Sequence, residues 1–388
     1  HEALAIAVCA ALSTNTVMDA IMTAVNHSGD SDSTAAICGS IVGAQYGVGA
    51  LPGVWLRDLK HQEVVEQLAR DALLEFGPNP PETDNWRQRY PVEHDVLELD
   101  FSTEQPAGGT AAPEKPSSET SSEAPAAQPP QVTEPPQVTE PPQQETAEDT
   151  AEEADERSLQ ILGLVLGGAV GDAIGYPVEE ASLEEIRSKH GPAGVTGFPS
   201  DGNRAGIISD NTQLSLFTLE GLIRAAIRRR LHGEQDPVLQ VQYAYQRWLH
   251  TQGVAWKDAG GPIAGSPPDG WLIEQRELFD RRTPSPTNIQ ALQGFAAGND
   301  PGSFDQPLNV SKGCSGVTRA AGTGLWSDDP SEVFRLGART AVLTHGHPSG
   351  YLPAGALAVI IQQLVSGRSL PEAIDRALAE LAGWEGHE

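Results

Sequence analysis

Apolar residues recur at spacings of three and four along most of this chain and seldom in strict alternation. Before residue 98 the pattern predicts helices over Ala3 to Leu12, Val17 to Val25, Ser33 to Tyr46 and His61 to Phe76. It returns after residue 158, at Leu159 to Ala173, Thr212 to Leu231, Pro237 to His250, Pro330 to Leu343, Ser349 to Val365 and Leu370 to Leu381, with glycine-rich loops between. Asp210 or Asn211 is the expected N-cap before Thr212, since a side-chain oxygen there accepts a free backbone N–H. Pro371 suits an early helical position, where its missing N–H is no loss. The scarcity of alternation predicts an all-α body.

Residues 99–157 break the pattern. They are rich in Pro, Glu, Gln, Ser and Thr, and the hexad Pro-Pro-Gln-Val-Thr-Glu at 129–134 repeats at 135–140. Such a composition buries too little apolar surface to offset the entropy of ordering, so a disordered, partly polyproline linker is expected between segments 1–98 and 158–388. Residues 104–157 hold 13 acids and 2 bases, a net of -11 within a total of -28, which leaves -17 elsewhere. A body this acidic repels phosphate backbones, and no nucleic-acid partner is expected. The run Arg228-Arg229-Arg230 closes a helix, where it complements the dipole. Cys9, Cys38 and Cys314 are odd in number and scattered, with neither disulfide nor metal spacing, which points to a reducing, cytoplasmic setting. No apolar run is expected to reach the ~20 residues of a membrane helix, and no membrane partner is expected.

Two clusters place hard oxygen donors at the start of helical runs. Asp30, Asp32 and Ser33 follow Gly29 and precede Ala35-Ala36-Ile37-Cys38-Gly39, while Ser209, Asp210, Asn211 and Thr212 open a second run. Mg²⁺ takes carboxylate, hydroxyl and water ligands in octahedral array, so two such half-sites facing each other would make a paired-metal site. The alternative is capping, since a carboxylate beside a helix start satisfies free N–H groups. One Asp suffices for a cap, so the first cluster exceeds that need. The second fits a cap as well as a metal.

Together with three further stretches, these clusters resemble the ADP-ribosylglycohydrolase family, whose members include the dinitrogenase reductase-activating glycohydrolases. Leu166-Gly167-Gly168-Ala169-Val170-Gly171-Asp172-Ala173-Ile174-Gly175-Tyr176-Pro177-Val178-Glu179 resembles the family's opening helix and acidic loop. Ser311-Lys312-Gly313-Cys314-Ser315-Gly316-Val317-Thr318-Arg319 resembles its glycine-rich substrate loop, and Thr344-His345-Gly346-His347-Pro348 its histidine motif. The resemblance covers residues 1–80 and about 158–383. It implies an orthogonal all-α helical bundle around two Mg²⁺ (or Mn²⁺) ions. The implied metal ligands are Ser209, Asp210 and Asn211 with Asp30, Asp32 and Ser33; the implied catalytic residues are Glu179, Asp30 and Asp210. Glu179 matches the family's mobile acid near the metals and ribose, although beside Glu180 it reads on its own as a solvated loop acid. Gly313, Cys314, Ser315, Gly316 and His345 are implied to bind substrate. Glycines there let backbone N–H groups approach a diphosphate, and the family's histidine lies near the diphosphate or distal ribose. Without the resemblance, the loop is a turn and His345 a helix cap; His347 reads as structural. The implied activity is metal-dependent hydrolysis of the glycosidic bond linking ADP-ribose to a modified protein side chain or a related ADP-ribosyl compound. Its transition state has oxocarbenium character, which nearby carboxylates stabilise.

Two features depart from the family. There the segment like 158–388 comes first and the segment like 1–98 last; here the order is reversed. Either a circular permutation or a fragment of a tandem protein is expected, and the absence of Met at His1 favours the fragment. About one or two family helices between those ends also look absent. In both cases the segments are expected to pack as one bundle that brings Asp30 and Asp32 to Asp210. The second departure is Asn211, where the family more often has Asp, which predicts weaker metal affinity. Both departures leave open a catalytically degenerate, ADP-ribose-binding or structural module. A metal-dependent phosphoesterase would need additional His or Asp ligands that the sequence does not offer.

Overall fold

The computed structural model describes residues 1–92, 147–198, 205–233 and 236–387, and among residues 147–154 it describes the backbone alone. The described residues form helices and no strand. The first segment contains α1 (Glu2–Ser13), α2 (Val17–Val25), α3 (Ser31–Tyr46), α4 (Gly53–Asp58), α5 (Gln62–Glu75) and α6 (Asp84–Arg89). The second contains α7 (Ala147–Gly175), α8 (Leu183–His190), α9 (Asp210–His232), α10 (Pro237–Thr251), α11 (Trp256–Ala259), α12 (Trp271–Glu274), α13 (Pro286–Ala296), α14 (Ser315–Thr318), α15 (Pro330–Val342), α16 (Pro348–Val365) and α17 (Leu370–Leu381). The all-α expectation holds, and each helix expected from periodicity is present.

Three expectations need correction. The linker was expected to run to residue 157, but α7 starts at Ala147. Its first turns, Ala-Glu-Asp-Thr-Ala-Glu-Glu-Ala-Asp-Glu-Arg, lack proline and consist mostly of helix formers, so a helix nucleated in the apolar stretch propagates backward through them. The rest of the expected linker that falls on 99–146 lies outside the described residues. The cap of α9 is Ser209 rather than Asp210 or Asn211; its hydroxyl accepts the Asn211 N–H at 3.1 Å. Finally, residues 155–178 are long and apolar enough, by length and composition alone, to cross a membrane. Its most apolar 18 residues are 83% buried inside the protein, so here that surface is covered by neighbouring helices.

The helix that covers it most closely is α3, from the other segment. Four glycines of α7, Gly163, Gly167, Gly171 and Gly175, stand four apart and therefore on one helix face. Against them lie Gly43, Gly39, Ala35 and Asp32 of α3. A Cβ added at Gly167 would sit 2.3 Å from the Gly39 carbonyl oxygen, and one at Gly171 would sit 2.0 Å from that of Ala35. Backbones in contact leave no room for side chains, and this seam fixes the start of α3 against the end of α7. A single buried cluster then runs through both segments, from Ala3 to Ala377. Each fully buried Ile, Leu or Phe in it, such as Ile37, Ile41, Leu214 and Phe217, contributes about 2 kcal/mol of transfer free energy.

Candidate active site

The seam sets Asp32 one turn from Asp172, and the start of α9 packs beside both. Asp172 is fully buried. It accepts from the Ser209 N–H at 2.8 Å, from the Ser209 hydroxyl at 2.5 Å, from the Thr212 N–H at 3.3 Å and from the Thr212 hydroxyl. One carboxylate thus organises the whole opening turn of α9 and holds Asp210 and Asn211 in place. The acid is visible in the sequence as the one charge inside the apolar stretch from Leu159 to Gly175, yet its role depends on residues 37 and 40 positions away.

Asp30 is the N-cap of α3, and its carboxylate accepts from the Ser33 N–H at 3.3 Å. Asp32 accepts from the same N–H at 2.8 Å. Asn211 joins the segments: its Nδ2 donates to Asp32 Oδ2 at 3.1 Å and to Ser33 Oγ at 3.2 Å, while its Oδ1 accepts from the Thr318 hydroxyl at 2.9 Å. In this orientation the amide bridges, and its oxygen is not turned to the other acids. Asp210 accepts from the Ser285 N–H at 3.3 Å.

These groups surround a cavity of about 370 Å³. Its wall carries Asp30, Ser33, Glu179, Glu180, Asp210 and Asn211, together with Gly313, Cys314, Ser315 and His345. Of the remaining expected site residues, Asp32 and Ser209 are buried behind that wall. Gly316 is also behind it, where a Cβ would lie 2.9 Å from that of Ala341. His347 caps α16, its Nδ1 accepting the Ser349 N–H at 3.0 Å. Sequence reading missed the loop residues Thr283 and Ser285 and the first residues of α13, Pro286 and Thr287, which also line the cavity. Thr283 has φ of 47°, a left-handed backbone that costs a β-branched residue on the order of 1–3 kcal/mol. Its hydroxyl lies 3.2 Å from the Tyr176 hydroxyl and 3.5 Å from Glu179 Oε2. Nothing in the local sequence announces that strain.

Four carboxylates and no Lys or Arg line the cavity among the described residues. Burial pushes Asp210 up to about 8, with Asp172 and Glu179 adding repulsion. Burial raises Glu179 to about 7, helped by Asp30, Glu180 and Asp172. Burial likewise lifts Asp172 to about 6 against the hydrogen bonds it accepts, and holds Asp32 well above the usual carboxylate range. Such mutual repulsion among oxygen donors is relieved by a cation. The donor set consists of carboxylates and hydroxyls, which fits Mg²⁺ or Mn²⁺ and not a soft metal. Cys314 is the one soft donor on the wall, and its thiol is held protonated by burial while donating to Asp30 at 2.6 Å.

The family model described as ADP-ribosylglycohydrolase matches residues 1–82 and 153–388. Among curated proteins, the chain is 34% identical over 83 residues to the ADP-ribosylarginine hydrolase Tri1 of Pseudomonas putida (strain GB-1). That alignment spans 21% of this chain and 22% of the relative. No solved structure matches.

Proposed function

Because the chain belongs to the ADP-ribosylglycohydrolase family, we propose that it hydrolyses the bond between ADP-ribose and a modified protein side chain, with two Mg²⁺ or Mn²⁺ ions as cofactor. The observation that carries this reading is that Asp30 from one segment and Asp210 from the other line one cavity whose wall has no countercharge among the described residues, with Asp32 behind it bonded to Asn211. Asp30, Asp210 and the Ser33 hydroxyl would hold the ions, with Asp32 supporting from behind and Asn211 joining if its amide turns. Bound there, the ions would neutralise the carboxylates and make water a better nucleophile near neutral pH.

The chain's own residues supply the rest. Glu179 stands beside the Thr283 hydroxyl at the cavity wall, where a carboxylate stabilises positive charge developing at the anomeric carbon and takes a proton from the attacking water. The turn from Gly313 to Ser315 lines the cavity, where the Cys314 and Ser315 backbone N–H groups would meet a diphosphate, the Gly313 N–H being given to Ser311 Oγ at 3.3 Å. His345 closes the same side. Water adds its hydroxyl to the anomeric carbon, and the proton that Glu179 takes from it passes to the departing nitrogen or oxygen, so the products are ADP-ribose and the unmodified side chain.

The printed name of the Pseudomonas relative makes arginine-linked ADP-ribose the first substrate to assay. Incubation with an arginine-ADP-ribosylated protein should release free ADP-ribose, and a chelator should abolish the release. ADP-ribose binding without turnover, with metal present, would sink the hydrolase reading in favour of a binding module.

A further inference from the structure

Arg319 is a deeply buried charge that the proposed chemistry leaves unused. It is 1% exposed, and no carboxylate among the described residues pairs with it. Its guanidinium lies 4.6 Å from the centre of the Tyr245 ring, donates to Asn288 Oδ1 at 3.0 Å and to the Thr340 carbonyl at 3.1 Å. The second nitrogen also donates to the Thr344 hydroxyl at 2.6 Å. That hydroxyl stands 2.7 Å from His345 Nδ1.

A hydroxyl has one proton and two lone pairs. Arg319 cannot accept, so it fills one lone pair of Thr344 Oγ1. The remaining proton has two possible acceptors, the Ala341 carbonyl at 3.4 Å and His345 Nδ1 at 2.7 Å. The shorter contact is the stronger. The guanidinium also polarises the hydroxyl, which makes it a better donor and a poorer acceptor of a second N–H. Nδ1 therefore accepts. The opposite edge of the ring faces Gly313, where an added Cβ would lie 3.1 Å from Nε2, and both residues line the cavity.

We propose that Arg319 and Thr344 are positioning residues that lock His345 as its Nε2–H tautomer, so that the ring presents a neutral hydrogen-bond donor to an acceptor oxygen of the bound ligand. The lock stands on geometry alone. That the ligand oxygen belongs to a diphosphate rests on the function proposed above. Burial, with Arg319 adding repulsion, lowers His345 to about 3, so its ring stays neutral and only the tautomer is left to set. A neutral donor here contacts phosphate oxygens without competing with cations for the carboxylates of the cavity. Gly313 completes the arrangement, because any side chain at that position would cover the ring edge.

The test is ¹⁵N NMR of the full chain with labelled histidine, using His345→Gln to assign the ring signals, together with titration by ADP-ribose in Mg²⁺. The wild type should show its proton on Nε2 and an unprotonated, hydrogen-bonded Nδ1. Thr344→Val, which keeps the shape and removes the hydroxyl, should move proton population to Nδ1 and weaken ADP-ribose binding about tenfold, the loss of one hydrogen bond to a charged group. Thr344→Ser should restore both. A wild-type proton on Nδ1, or an unchanged Nε2–H in Thr344→Val, would overturn the lock. If Thr344→Val does not fold, the wild-type spectrum alone decides. Absence of ADP-ribose binding to the wild type would overturn the ligand assignment and the proposed function, while leaving the tautomer result standing.

Discussion

Asn211 stands between two roles that a carboxylate and an amide divide differently. As an amide it donates to Asp32 and Ser33 and so offsets some of the repulsion among the acids. Asn211→Asp would remove those donors and set a further carboxylate against Asp32. Without metal, the variant should lose about 1–3 kcal/mol, read as a lower Tm. With Mg²⁺, calorimetry should show tighter binding than the wild type; equal or weaker binding would contradict the placement of the ions. Much of this neighbourhood was legible in the sequence, because Asp30, Asp32, Ser209 and Asp210 interrupt apolar runs abruptly enough to demand a reason. The roles of Asp172, Thr283 and Arg319 were not legible. Their significance comes from partners distant in sequence, such as Asn288 for Arg319, or from a backbone angle that leaves no trace in residue type.

At the level of elements, the α3–α7 seam carries the site. Gly167→Ala would force a methyl into the Gly39 carbonyl, and overpacking at a backbone contact should cost about 3 kcal/mol or more. Chemical denaturation should show that loss; a change below about 0.5 kcal/mol would mean the helices do not approach this closely. The helices were readable from periodicity, yet the seam was not, because glycine carries no apolar signal. A second junction ties α9 and α10 to the loop at Asp269, which accepts from Arg224 at 3.0 Å and from Arg247 at 2.6 Å. Burial alone would raise this acid, but the two guanidinium groups outweigh it and lower its pKa below the usual carboxylate value. An acid whose folded pKa is depressed contributes stability above its unfolded pKa and loses it as pH falls through the folded one. Asp269→Asn should therefore lower Tm at pH 7, and the gap to the wild type should narrow below about pH 4. A gap independent of pH would rule out the ion pairs as its source.

At the scale of the molecule, the two segments share one core, and Arg224 of α9 also donates to the Pro91 carbonyl at 2.8 Å. An engineered protease site between residues 105 and 140 should yield two pieces that still elute together in size-exclusion chromatography under native conditions. Separation of the pieces would mean that the buried contacts between α3 and α7 are weaker than their geometry implies. The spacing of the α7 glycines has a further consequence. Rungs that repeat every four residues match equally well after a slip of one turn, which would slide α3 along α7 by about 6 Å. Small residues alone would tolerate such a vernier error, and the polar clasp of Asn211 onto Asp32 and Ser33 is what tells the true alignment from its neighbour. In that sense the candidate site proofreads the fold that builds it.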